Sequence, residues 1–273
     1  MVKLFASTKR LSAFKLECYN MIPECLEKVP ETLESMTVEL DYECTTETVE
    51  KALENCPKLH TLQVSCGAEE GQYHSLIKSI IVNGRQRNFK IFSITAAAYG
   101  YMHNAHLIAS FTNLQSLKLD IGENLSDSIL RKIGRNLDLL LSFTLYGIKD
   151  GPQFITDRGL KTLANLKYLK LHSVNLVTGE CFKRITELES VELLLCEGIK
   201  TPGLQVLFKS AKNLRSLALF KEDPKKYIDC MKAVPKTRAN KVPLKIRLKL
   251  FGSGDDTCVY RDGYLTVEEY HTR

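Results

Sequence analysis

No stretch of this 273-residue chain approaches the roughly 20 consecutive apolar residues that a membrane-spanning helix needs. The opening residues, Met1 to Arg10, carry no long apolar run, so they do not read as a secretory signal. Cysteine is present but unframed. There are nine, an odd number, with neither CxxC spacing nor a matching histidine pattern. That argues against a disulfide scaffold and predicts a reduced, intracellular protein, cytoplasmic or nuclear, whose thiols act as small apolar core groups. A phosphate-binding glycine loop is missing too, since Gly252-Ser253-Gly254 runs into Asp255 and Asp256, which would repel phosphate. Nothing resembles a nucleophile elbow. His103-x-x-His106 has metal-like spacing, but no second pair of ligands accompanies it, and it reads as surface histidine. The expectation is a non-catalytic chain without cofactor or metal.

What is present is a repeat. From Leu188 the sequence reads Leu188-x-x-Val191-x-Leu193-x-x-Cys196-x-x-Ile199, followed by Thr201, Gly203, Leu204 and Leu207. Apolar residues at offsets 0, 3 and 5 do not fit one helical face; the last two fit a short strand with one buried side. Leu204 and Leu207, three apart, fit the buried side of a short helix. The same frame starts at Leu11, Leu33, Leu59, Phe89, Leu114, Leu140, Leu166, Leu188 and Leu214, with steps of 22 to 30 residues. A further strand is expected at Ile246-Leu248-Leu250. A unit of this kind cannot bury its own apolar face and must stack on its neighbours.

The pattern resembles the leucine-rich repeat, with Cys where Asn is often found. Cys56-Pro57-Lys58-Leu59, Cys196-x-x-Ile199-x-Thr201-x-Gly203-Leu204 and Ile155-Thr156-Asp157-x-Gly159-Leu160 are similar to the cysteine-containing subclass, typical of F-box/leucine-rich-repeat proteins. The resemblance implies an α/β leucine-rich-repeat solenoid, a horseshoe of about ten repeats, with parallel strands on the concave face and helices on the convex side. It also implies a substrate receptor of an SCF-type cullin-RING ubiquitin ligase, with a ligase adaptor and cullin as partners. The ligase-docking F-box itself is not recognisable. Ile22-Pro23-Glu24-Cys25-Leu26 resembles its opening, but it falls between two repeat frames, and the chain has no Trp, which that module usually contains.

The expected division is an N-terminal arm at 1–10, a solenoid at 11–251 and a C-terminal cap at 252–273. Helices are expected over Thr45–Leu53, Tyr73–Val82 and Met102–Phe111, from near Ser126, and from Pro202, with a short one at Pro224–Val234. Asp262-Gly263 between alternating apolar residues signals a hairpin.

The net charge of +6 conceals an asymmetry. From Glu24 to Glu54 there are ten acids against Lys28 and Lys51; from Lys200 to Lys249 there are fourteen Lys or Arg against three acids. Strand residues at offsets 2, 4 and 6 point away from the core, and from Tyr146 onward they turn aromatic and basic. Such side chains on an outward face are the types that anchor protein interfaces. The candidate partner-binding set is Tyr146, Tyr168, Lys170, His172, Leu194 and Phe220, extended by Arg247, Lys249 and Phe251. The rings would anchor and the cations would pair with acids on a protein partner with an acidic surface. Two other functions fit the same pattern: a stand-alone scaffold or enzyme inhibitor without ligase role, and, least favoured, a nucleic-acid-associated protein using the basic end.

Overall fold

The computed structural model describes residues 10–18, 26, 28–40, 46–66, 72–96, 105–120, 125–147, 153–220, 242–251, 257–262 and 265–272. The chain forms two compact units, Met1–Leu125 with Arg135–Leu140, and Ser126–Gly134 with Leu141–Arg273.

In the first unit, β1 (Ala13–Cys18), β2 (Ser35–Leu40), β3 (Thr61–Cys66), β4 (Ile91–Ala96) and β5 (Ser116–Asp120) pair in parallel in chain order. The register places equivalent frame positions side by side. Phe14, Met36, Leu62, Phe92 and Leu117 make one row, and Leu16, Val38, Val64, Ile94 and Leu119 the next. From Met36 to Leu117 the first row is buried, as are all five residues of the second. Each row exists only because repeats stack, which is why one unit alone could not hold it. The ladder starts one residue ahead of each strand: the N–H groups of Glu34 and Ser35 share the Ser12 carbonyl, and those of His60 and Thr61 share that of Glu34.

The chain returns through helices Thr46–Asn55 and Gln72–Val82, each within two residues of expectation. The helix expected over Met102–Phe111 is instead a 3₁₀ segment, Ala105–Ser110, with 101–104 outside the described residues. Ala105, Ile108 and Ala109 are its buried residues, and the Phe111 N–H bonds the Ile108 carbonyl three residues back, the spacing of a 3₁₀ turn. Phe111 closes a ring cluster with Phe92 (5.0 Å between centroids) and Phe89 (5.9 Å).

In the second unit, β6 (Ser142–Tyr146), β7 (Tyr168–His172), β8 (Ser190–Leu194), β9 (Ser216–Phe220) and β10 (Leu244–Phe251) are likewise parallel and in order. Burial alternates along β6, β8 and β9, with Phe143 and Leu145, Val191 and Leu193, and Leu217 and Leu219 inside. The expected hairpin is present as β11 (Thr257–Asp262) antiparallel to β12 (Leu265–Thr272), and β12 adds to β10 in parallel. Gly263 and Tyr264 lie outside the described residues, as do Pro224–Val234 and 1–9.

The return segments of this unit are stapled by two aspartates. The Asp127 carboxylate accepts hydrogen bonds from the Thr156 N–H (2.8 Å), the Thr156 hydroxyl (2.7 Å) and the Gly159 N–H (3.1 Å), so it caps the helix of the following repeat, Asp157–Leu160. One repeat on, Asp157 accepts from the Thr178 N–H (2.9 Å) and hydroxyl (2.8 Å), the Gly179 N–H (3.0 Å) and the Cys181 N–H (2.9 Å). The series ends at Gly179, which takes φ of 100° and lies so close to the next repeat that an added Cβ would sit 2.7 Å from the Gly203 Cα. Helix Thr201–Ser210 follows, with Pro202 in its first turn as expected.

Candidate interaction surface on the second unit

The parallel register turns the outward residues of β6 to β10 into a lattice. Strands lie about 4.8 Å apart, and alternate residues along a strand fall about 7 Å apart. The first row is Ser142, Tyr168, Ser190, Ser216 and Lys245; the second is Thr144, Lys170, Glu192, Ala218 and Arg247; the third is Tyr146, His172, Leu194, Phe220 and Lys249. Six of the residues singled out from sequence, Tyr146, Tyr168, Lys170, His172, Leu194 and Phe220, thus stand on adjacent strands of one face. Arg247 joins them, exposed, at the C-terminal end of the middle row. The side chains of Lys249 and Phe251 lie outside the described residues; their backbone runs in β10.

Half of the Tyr168 side chain stays in solvent (49% exposed), alone in a row otherwise serine until Lys245. In the third row the Tyr146 and His172 rings lie 5.3 Å apart, 30° from parallel. Burial lowers the His172 pKa, and the nearby Lys170 charge lowers it further, so the imidazole is neutral at neutral pH. Burial also works against the Lys170 ammonium, but the hydrogen bond and charge of Glu192, with Tyr146 assisting, outweigh it and hold the pKa above the ordinary value. Lys170 and Glu192 lie 2.9 Å apart.

Two hollows flank that ion pair. One, of about 250 Å³, lies among Ser142, Thr144, Tyr168, Lys170, Ser190 and Glu192. The other, of about 220 Å³, lies over Ala218 and Leu219, between Leu194, Phe220, Glu192, Lys170 and Arg247. Both are below the roughly 300–1,000 Å³ of a small-molecule site, and both are open to the surface; they are sized for single side chains. The strands leave this face through two left-handed residues that are not glycine, Ser173 (φ 53°) and Leu195 (φ 51°). The Ser173 N–H bonds the Leu194 carbonyl and the Leu195 N–H the Phe220 carbonyl, both at 2.8 Å, so the ladder holds a conformation these residues would not choose.

The repeat thiols sit elsewhere. The thiols of Cys56, Cys181 and Cys196 are buried and form no disulfide. The Cys196 thiol lies 3.3 Å from the Leu194 carbonyl and 3.5 Å from that of Leu171. Burial pushes the Cys56 thiol up to about 11 and Cys181 well above its ordinary value, so both stay protonated. His106 lies in the 3₁₀ segment of the first unit, and His103 is outside the described residues. No helix among the described residues is long and apolar enough to cross a membrane.

No protein-family model matches the sequence, and no curated protein matches it. Solved structures do. A chain from the crystal structure of the yeast Rad7 and Elc1 complex superposes with a TM-score of 0.61 over 94% of this chain and 71% of its own, at 15% identity. An internalin, inlF of Listeria monocytogenes, gives 0.50 over 80% of this chain and 57% of its own, at 17% identity. A chain from the TLR13–ssRNA13 complex gives 0.50 over 90% of this chain and 33% of its own, at 17% identity. The chain has the leucine-rich-repeat fold. At these identities the likeness concerns the fold alone, and the chain spans little more than half of the internalin and a third of the TLR13 complex chain.

Within the leucine-rich-repeat lattice, two residues that frame the larger contacts were not among those singled out from sequence. Glu192 and Ala218 occupy outward offsets like the rest, but an acid and a methyl group carry no signal of recognition by themselves. Their role depends on neighbours 22 to 29 positions away, Lys170 at 2.9 Å from Glu192 and Arg247 in register with Ala218.

Proposed function

We propose that the chain is a non-catalytic protein-recognition module that holds its partner on the outward face of β6 to β10. The observation that carries this reading is the cluster of half-exposed rings and charged side chains around Tyr146, Tyr168, Lys170, His172, Leu194 and Phe220, with two side-chain-sized hollows between them. Aromatic anchors in small wells, rimmed by polar groups, are the anatomy of a protein-binding hot spot. Arg247 is part of this face, with Lys249 and Phe251 of the same strand assigned to it from sequence, and the partner carries an acidic surface. The likeness to a chain from the Rad7 and Elc1 complex, a protein–protein assembly, is in keeping with this reading. The repeat's similarity to F-box/leucine-rich-repeat proteins makes a substrate-recognition subunit of an SCF-type ubiquitin ligase the specific form of it, acting in the cytoplasm or nucleus.

The test is affinity purification of the full chain from its own cells with proteasome inhibited. Recovery of an F-box-binding adaptor and cullin supports the ligase reading, and the accompanying proteins become substrate candidates. A single stoichiometric partner without ligase components selects the alternative, a stand-alone scaffold or inhibitor. A nucleic-acid role for the basic end would instead give binding that falls steeply with salt.

A further inference from the structure

The middle row of the lattice has one gap. Thr144, Lys170, Glu192 and Arg247 all project beyond Cβ, and Ala218 does not. The hollow of about 220 Å³ over Ala218 is the space that a side chain there would have filled. Its floor is the Ala218 methyl with the edge of Leu219, and two of its walls are Leu194 and Phe220. Its rim is charged: Lys170 and Glu192, register neighbours 2.9 Å apart, stand on it together with the exposed Arg247. A basic anchor would meet Arg247 as a like charge and an acidic one would meet Glu192, and either would give up water over a methyl group. An apolar anchor would bury against alkyl and ring carbon without disturbing the Lys170–Glu192 pair.

We propose that the Ala218 hollow is a selectivity subsite that accepts one aliphatic or aromatic side chain from a protein segment with acidic residues on its flanks. The acidic flanks follow from charge complementarity at the edge of the hollow, where Arg247 and Lys245 stand exposed on the outward face of β10. The inference rests on the reading of this face as a protein-binding surface and names what that surface selects. Leu194, Phe220 and Ala218 act together as the pocket, while the Lys170–Glu192 pair and Arg247 form its rim.

The test uses the full chain and degenerate nine-residue peptides with acidic flanks and a fixed central Leu, Phe, Ala, Glu or Lys, titrated by fluorescence anisotropy. The Leu or Phe set is expected to bind at least about tenfold more tightly than the Ala, Glu and Lys sets, in proportion to apolar area buried. Ala218→Phe fills the hollow from an outward position and is expected to erase that preference without lowering the thermal midpoint, whereas Ala218→Ser leaves room and keeps it. Equal binding of all five sets, or a preference untouched by Ala218→Phe, overturns the subsite. So does an absence of binding by every set. The broader reading fails separately, when substitution of Tyr168, Lys170 and His172 leaves binding of a purified partner unchanged.

Discussion

The Lys170 ammonium and the Glu192 carboxylate, 2.9 Å apart on neighbouring strands, form the partition between the two hollows of the outward face. Both side chains keep a third to nearly half of their surface in water. Their attraction therefore adds little to stability, within about 1 kcal/mol. Lys170→Met should leave the urea midpoint nearly unchanged yet weaken partner binding, because the wall between the hollows loses its fixed geometry. Glu192→Lys should do more, placing like charges opposite each other. A variant pair that unfolds the chain before it weakens binding would mean that the partition is structural.

His172 gives a readout of the same cluster. Burial first, and Lys170 second, hold its pKa below the ordinary value of about 6.5. A histidine whose folded pKa is lowered stabilises the fold above its unfolded pKa, and that contribution is lost as pH falls through the folded pKa. NMR titration should therefore show His172 gaining its proton below pH 6.5, and Lys170→Met should move the transition upward. An unchanged transition in that variant would remove Lys170 as a cause.

Asp157 predicts the acid sensitivity of the repeat stack. Burial alone would raise its pKa, but hydrogen bonds from Cys181 and Thr178 reverse the balance and hold it below the ordinary carboxylate value. Its stabilisation is present above the unfolded pKa, near 4, and is lost as pH falls through the lower folded one. Asp157→Ala should cost about 2–4 kcal/mol at pH 7, since it strands the Thr178, Gly179 and Cys181 donors, and the loss should shrink as pH drops below 4. Chemical denaturation at pH 7 and pH 3 separates this outcome from a pH-independent packing loss.

Gly179 lies directly against Gly203 in the return segment of the next repeat. It is left-handed, and a Cβ there meets the Gly203 Cα at 2.7 Å. Gly179→Ala should lower stability by about 2 kcal/mol or more, from the strained backbone and the displaced repeat together. A thermal midpoint within a degree of the parent would show that the segments separate at little cost.

The strand rows were legible in the sequence because a period of two with a fixed repeat frame leaves one way to bury the apolar set. Phe143, Leu169, Val191 and Leu217 fall in register as the frame requires. The return segments were less legible, because their geometry is decided by packing space: a helix was expected where Ala105–Ser110 winds as a 3₁₀ segment, since the apolar spacing Ala105, Ile108, Ala109 suits either winding. The stapling role of Asp127, just behind the helix start expected near Ser126, was not legible, since it accepts its hydrogen bonds from Thr156 and Gly159, 29 and 32 residues on. On the outward face the rings and cations announced themselves by type. Ala218 did not, because a hollow is defined by the side chains around it, and those come from four different strands.

The most direct test of the account is the affinity of a purified partner for the full chain with Tyr168→Ser, Lys170→Ser and His172→Ala combined. All three side chains point away from the core, so the fold should survive, as judged by circular dichroism and an unchanged unfolding midpoint. The account predicts a loss of at least about tenfold in affinity, the scale of one or two hot-spot residues. A folded variant that binds its partner as tightly as the parent would contradict it and move the interface off this face.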